Sequence, residues 1–167
     1  VSGMSPFTFI KRILQPLFSA LLTSSSATTL PVSMIAAEKE LGVDRAKASF
    51  ILPLGATANM DGTALFEGIA AIYLAYMFGI DLGSTEIITV FLISMLSSIG
   101  APGMPSGSMA GMQLVLLAVG IPLEAIALLL LIERPLDTFR TAVNVEGDLA
   151  GCLVVEHFIS GSQKATS

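Results

Sequence analysis

The sequence predicts an all-α integral membrane fold. Two oppositely oriented re-entrant helical hairpins are each followed by a transmembrane helix, as an inverted repeat, and the first of those helices is unwound in mid-span. Three observations carry this. The chain is 53% hydrophobic and only 13% charged, with a mean hydropathy of +0.82, whereas a soluble domain is about 25% charged. Its hydrophobic stretches are interrupted at corresponding places in two halves, 7–80 and 84–157. Its last hydrophobic segment carries a polar face, and ionisable groups inside a membrane are costly and almost always line a path or a site.

The first hairpin occupies 7–42. FTFIKRILQPLFSALL (7–22) stops at the small polar run TSSSATT (23–29), and LPVSMIAAEKELG (30–42) resumes as a short helix. Two half-helices joined by a Ser/Thr tip fit this pattern. The next segment, 47–80, is long enough to span a bilayer. It is broken in its middle by GATANMDGT (55–63), a poor helix former. The second hairpin, 84–120, runs from TEIITVFLISMLSSIG (85–100) through the tip APGMPSGS (101–108) into MAGMQLVLLAVG (109–120). The last helix, 122–159, precedes a tail, 161–167. An ordinary surface turn explains either tip alone. Two tips, each followed by a helix with carboxylates, weaken that reading. Interrupted segments at matching positions in two halves point to a secondary-transporter binding site, because unwound backbone at membrane depth persists only where protein or a cavity satisfies it.

Charge sets the orientation. Lys11 and Arg12 precede the first tip, and Lys39, Arg45 and Lys47 follow the first hairpin, while the connections at 79–86 and 119–124 hold Asp81, Glu86 and Glu124 without Lys or Arg. By the positive-inside tendency, hairpin one opens to the cytoplasm and hairpin two to the outside. Their tips then approach one site from either side, in a multi-pass protein of the plasma or inner membrane.

On the last helix, Asp137, Arg140, Thr141, Asn144 and Asp148 follow one another at steps of three, one, three and four. At ~100° per residue they share one face, roughly 100° wide. Glu133 falls on it too, and Glu146 points the opposite way. Leu129, Leu131, Leu136, Val143, Leu149 and Val154 spread around the helix, which fits poorly with an amphipathic helix exposing one side to water. The face reads as a binding site for something charged.

Other classes fit less well. The net charge of −5 and the lack of a basic stripe argue against nucleic acid. The single cysteine, Cys152, excludes an intrachain disulfide and reads as a packing residue. His157, the only histidine, has no companion at ligand spacing, and no cofactor is expected. An intramembrane protease would need a GxSG or GxGD setting. Ser106–Gly107, Asp61 and Asp148 do not provide one, so no enzyme is predicted. A channel also uses buried carboxylates, but two opposed hairpins favour alternating access. There is no signal peptide. The start at Val1 suggests the C-terminal part of a longer protein, with GSQKATS (161–167) as its C-terminus.

SSSATTLP (24–31), NMDGT (59–63), the Gly/Pro-rich second tip and DTFRTAVNVEGD (137–148) together resemble the sodium-coupled glutamate/dicarboxylate symporters, the dicarboxylate/amino acid:cation symporter family. The resemblance covers almost the whole chain, in order and with matching spacing. It implies a homotrimer in which each protomer carries its substrate by an elevator-like displacement of a transport domain. This chain would be the C-terminal part of that domain, 1–160, without the scaffold helices.

The resemblance also implies the site. Arg140, whose planar fork can grip a carboxylate bidentately, would take the side-chain carboxylate of glutamate or aspartate. Asp137 would accept the α-amino group, with Thr141, Asn144 and Thr63 adding polar contacts. The α-carboxylate would sit at Ser25 and Ser26 and against second-tip backbone at Met104, Pro105 and Gly107. Read without the family, Arg140 and Asp137 could be a structural i,i+3 ion pair, and Asp61–Gly62 a simple turn. The implied sodium sites use Gly55, Asn59, Asn144 and Asp148; Thr57 with Ser98, Ile99 and Ala101; and Asn59 with Asp61. Glu67 matches the glutamate that carries a proton in proton-coupled members, and burial penalises a carboxylate's charge. Ser24 and Thr138 stand where many acidic-amino-acid members carry a second arginine, and Ala27 where some have another serine. A C4-dicarboxylate substrate is the alternative. Asp137 disfavours it, because a substrate without an amine leaves that charge unpaired. A neutral amino acid would leave Arg140 without its partner.

Overall fold

The computed structural model describes residues 3–165, with side chains described through 159, and those residues are helical throughout apart from short connections. Helix α1 (Pro6–Arg12) starts at Ser5, whose Oγ accepts the Thr8 N–H at 3.2 Å, and it has proline at its first position, where no N–H is needed. After a turn at Ile13, α2 (Leu14–Thr23) ends on Ser24 in the left-handed conformation, φ 49°. One residue later Ser25 caps α3 (Ser26–Lys39), its Oγ accepting the Thr28 N–H at 3.2 Å. Serines favour such ends because their hydroxyls compete for nearby backbone groups.

Asp44 caps α4 (Arg45–Ala58) through the N–H groups of Ala46 and Lys47. The chain leaves helical geometry at Asn59 and Met60 and re-enters it as α5 (Asp61–Met77). Helices α6 (Ser84–Ser98) and α7 (Ser108–Ala118) are joined by 99–107. A 3-10 turn, Leu123–Ala125, leads into α8 (Ile126–Ala165). The last helix therefore starts four residues later than the sequence suggests, after that turn. It also continues through 161–165 of the expected tail, while Thr166 and Ser167 lie outside the described residues.

Two apolar cores share α8. Phe9, Ile13, Ala20, Ala37 and Leu52 of the first half pack with Val145, Leu149 and Cys152. Ala71, Leu74, Val90, Met112 and Leu116 of the second half pack with Leu129. Between these two attachments runs the polar face from Glu133 to Asp148, and its six polar side chains are 3–6% exposed. The face is thus turned into the protein, not to water, and the amphipathic alternative falls away.

The outer surface is rich in large apolar side chains, such as Leu22, Tyr76 and Leu131, each more than 80% exposed. Yet among the described residues no helix is long and apolar enough to cross a membrane. The expected last span, 122–159, is not an uninterrupted apolar helix, and 47–80 is divided, in keeping with the break read at 55–63. The break at Asn59 leaves pieces of 14 and 17 residues, against the ~20 a span needs. In α8, Glu133, Arg134, Asp137 and Arg140 fall close together.

Candidate functional site

The two tips meet. Ser25 Oγ donates to the Gly103 carbonyl at 2.8 Å, and the Ala27 N–H donates to the same oxygen at 3.1 Å. Each tip carries a left-handed serine, Ser24 at φ 49° and Ser106 at φ 62°. The second tip is also tied to α8: the Ser106 N–H donates to Asp137 Oδ2 at 3.0 Å, and Ser106 Oγ donates to Glu133 Oε2 at 3.1 Å. Between tips, α5 and α8 lies a narrow cleft lined by Ser24, Ser26, Met60, Thr63, Ala101 to Met104, Gly107, Ser108, Asp137, Thr141 and Asn144. It holds only about 10 Å³, about one water's worth of room, so the tips are closed over it.

The expected substrate residues divide by position. Ser26, Thr63, Gly107, Asp137, Thr141 and Asn144 are buried and line the cleft. Ser25 is buried and spends its hydroxyl on the α3 cap and on Gly103. Met104 lines the cleft although its side chain is mostly exposed, and Pro105 is exposed and outside the lining. Thr141 Oγ1 donates back to the Asp137 carbonyl at 2.8 Å.

Arg140 lies behind Asp137, with its guanidinium over the Phe66 ring, 4.6 Å from the centroid. Its Nη2 donates to Asp137 Oδ1 and, at 3.3 Å, to Glu133 Oε1. The i,i+3 ion pair weighed from sequence is therefore formed. Even so, Arg140 Nη1 is buried without a partner. Two carboxylates on one guanidinium also leave a net charge of −1 in a buried cluster. Such a group can exchange one internal carboxylate for an incoming one and offer the released carboxylate to a cation.

Asn144 has both ends of its amide in use. Its Oδ1 accepts the Gly62 and Thr63 N–H groups at 2.8 and 3.3 Å, and its Nδ2 donates to Thr63 Oγ1 and Met60 Sδ, both at 3.2 Å. It caps α5, whose own N-cap, Met60, has no side-chain bond to give. The α5 and α8 backbones approach closely here, and a Cβ on Gly62 would overlap the Arg140 carbonyl.

The expected cation residues fall in two places. Gly55, Asn59, Asp61 and Asp148 are among the residues around a hollow of about 330 Å³ beside the helix break. There Asn59 Nδ2 donates to Asp148 Oδ1 at 3.2 Å. The Asn144 side chain is not part of that hollow. Thr57 is exposed and its hydroxyl bonds Leu54 O. Its carbonyl accepts the Gly100 N–H at 2.9 Å, which sets it beside the 98–101 segment, where Ser98 and Ala101 are buried and Ile99 is exposed. Glu67 is fully buried, against α6 and α7. Ser97 Oγ of α6 donates to it, its Oε1 has no partner, and a Cβ on Gly111 of α7 would overlap that oxygen.

The sequence puts Glu133 on the polar face without a role and gives the Ser106 side chain none beyond the protease reading. It did not single out Ser97. The available signal for Glu133 was its spacing, one turn before Asp137 and two before Arg140.

A sequence model of the sodium:dicarboxylate symporter family matches residues 1–158. The chain is 47% identical over 157 residues to excitatory amino acid transporter 2 of Homo sapiens, covering 94% of this chain and 27% of that protein. It is 44% identical over 154 residues to an excitatory amino acid transporter of Caenorhabditis elegans, covering 92% of this chain and 31% of that protein. With excitatory amino acid transporter 3 of Mus musculus the identity is 45% over 152 residues, 91% of this chain and 29% of the relative. The chain thus spans less than a third of the length of these relatives.

Proposed function

Because this chain belongs to the sodium:dicarboxylate symporter family, we propose that it forms the C-terminal part of the transport domain, residues 1–160, of a longer secondary active symporter. That protein moves an acidic amino acid across the cell membrane together with sodium and a proton. Helices α1–α3 (7–42) and α6–α7 (84–120) are its two re-entrant hairpins, and α4–α5 and α8 its membrane-spanning units.

The observation that carries the substrate class is Arg140: 5% exposed, held by two carboxylates, with Nη1 unpartnered. A buried, permanently charged fork with an open donor favours a carboxylate, because charge-assisted bonds are the strongest available there. As the substrate's side-chain carboxylate takes Arg140, Asp137 is released to accept the α-ammonium. The α-carboxylate settles against Ser25, Ser26 and the second-tip backbone. Sodium, a hard cation, takes oxygens around Gly55, Asn59, Asp61 and Asp148, and at Thr57 with 98–101. Glu67 carries the proton.

A two-carboxylate substrate without an amine satisfies Arg140 but leaves Asp137 facing more negative charge, so a C4-dicarboxylate is the second reading. Movement is by an elevator-type displacement within a homotrimer, against scaffold helices that lie outside this chain. The chain alone in liposomes is therefore expected to show no sodium-dependent uptake.

The test uses the complete transporter in liposomes, with radiolabelled L-aspartate, an inward sodium gradient, and excess succinate present or absent. Sodium-driven uptake that succinate barely inhibits supports the acidic amino-acid reading. Strong succinate competition, or succinate uptake with none of aspartate, moves the protein to the dicarboxylate reading.

A further inference from the structure

We infer that Glu133 is a positioning residue that couples the grip on Arg140 to closure of the second tip. The inference rests on the transport reading for its purpose, but its evidence is a closed ring of four side chains and backbone groups. Ser106 donates its N–H to Asp137 Oδ2 at 3.0 Å and its hydroxyl to Glu133 Oε2 at 3.1 Å. The other oxygens of the same two carboxylates, Asp137 Oδ1 and Glu133 Oε1, hold Arg140 Nη2. Every polar group that Ser106 offers to α8 thus ends on a carboxylate that also holds the guanidinium.

Ser106 is also in the left-handed conformation, φ 62°, which a residue with a Cβ adopts only when its surroundings enforce it. The two bonds to α8 are such an enforcement. Glu133 is 4% exposed, so its negative charge must find donors inside the protein. With the tip closed, it divides its oxygens between Ser106 and Arg140. With the tip open, the Ser106 donor is gone and both oxygens turn to Arg140, the donor nearest to them. Opening therefore tightens Glu133 on the guanidinium, and closing loosens it. A ligand carboxylate finds Arg140 most available when the tip closes over it, so the tip and the ligand favour one another through Glu133.

The experiment uses the complete transporter in sodium without substrate. The reporter is Ser108→Cys, because Ser108 is 3% exposed and lines the cleft under the tip. Labelling by a hydrophilic maleimide is compared with the same protein lacking the reporter, in which Cys152 is buried. Ser106→Ala removes one bond to a charged acceptor, a loss expected to raise labelling about tenfold. Glu133→Gln keeps the shape but offers one oxygen for two donors, and has an effect in the same direction. The double variant labels no faster than the stronger single one, because both remove the same bond.

Unchanged labelling in Ser106→Ala, or effects that multiply in the double variant, overturns the inference. Ser106→Ala alone decides the matter if Glu133→Gln does not fold. The thiol readout needs no substrate. Flat labelling with intact sodium-driven uptake removes the coupling role and leaves the transport reading standing, whereas absent uptake in the unmodified protein removes that reading alone.

Discussion

Replacing Asn144 by leucine keeps the volume on α8 and strips the cap from α5. In the structure Asn144 Oδ1 accepts the N–H groups of Gly62 and Thr63 at 2.8 and 3.3 Å. Both residues are buried, and no side chain at the N-cap of α5 substitutes for it. Each buried N–H left without an acceptor costs roughly 1–3 kcal/mol. The pair together costs about 3 kcal/mol, or about 150-fold in a local opening constant at 1.4 kcal/mol per decade. Hydrogen exchange of a peptide covering 60–66 in the purified complete protein reads this directly, since exchange there reports local opening. Asn144→Leu is expected to exchange about 150-fold faster than the parent. Asn144→Asp keeps an acceptor for both N–H groups but loses the donations to Thr63 Oγ1 and Met60 Sδ and buries a further carboxylate, so its exchange is expected to fall between the parent and the leucine variant. Exchange in the leucine variant within about threefold of the parent would refute the capping role, as would an aspartate variant as fast as leucine.

Glu67 is the fully buried carboxyl of α5 and accepts from Ser97 of the second hairpin. Glu67→Gln removes its proton exchange while keeping its shape, so sodium-driven uptake should continue and lose its dependence on pH. A full pH profile in that variant would contradict the proton role. Asp148 supplies a charge to the hollow it shares with Gly55, Asn59 and Asp61. Asp148→Asn should raise the sodium concentration for half-maximal uptake roughly tenfold, the loss of about one charge-assisted contact. An unchanged sodium dependence would remove Asp148 from the cation site.

The helical class and the places where helices stop at 23–29 and 98–108 are open to sequence reasoning because each has a local cause. Serine runs stop and restart helices, Asn59 sits in a run that helices avoid, and the face of α8 follows from 3.6-residue periodicity alone. What periodicity supplies is direction, not partner. It places Asn144 on the polar face, and the ligand role is what the family resemblance implies. The structure spends its amide on α5, more than eighty residues earlier in the chain. Glu133 likewise lay on the face, but its role depends on Ser106 crossing from another helix pair, with a backbone conformation that no local pattern announces. Arg140 and Asp137 are near neighbours on one helix, so their pairing stands as the structural alternative to a substrate role, and the structure forms it. That Arg140 Nη1 remains without a partner emerges only once α5 and Phe66 close around it. The expected last helix stops at 159 because GSQKATS (161–167) is read as a C-terminal tail, whereas α8 continues to Ala165.

If buried Arg140 selects an acidic amino acid, uptake by Arg140→Gln in the complete transporter shows it most directly. Sodium-driven uptake of L-aspartate and of neutral L-serine would be measured side by side in liposomes. Losing a charge-assisted fork of about 3 kcal/mol predicts a fall of about 150-fold in kcat/KM for aspartate, with serine uptake unchanged or raised. Aspartate uptake in the variant within about threefold of the parent would mean that the charge of Arg140 serves only Glu133 and Asp137.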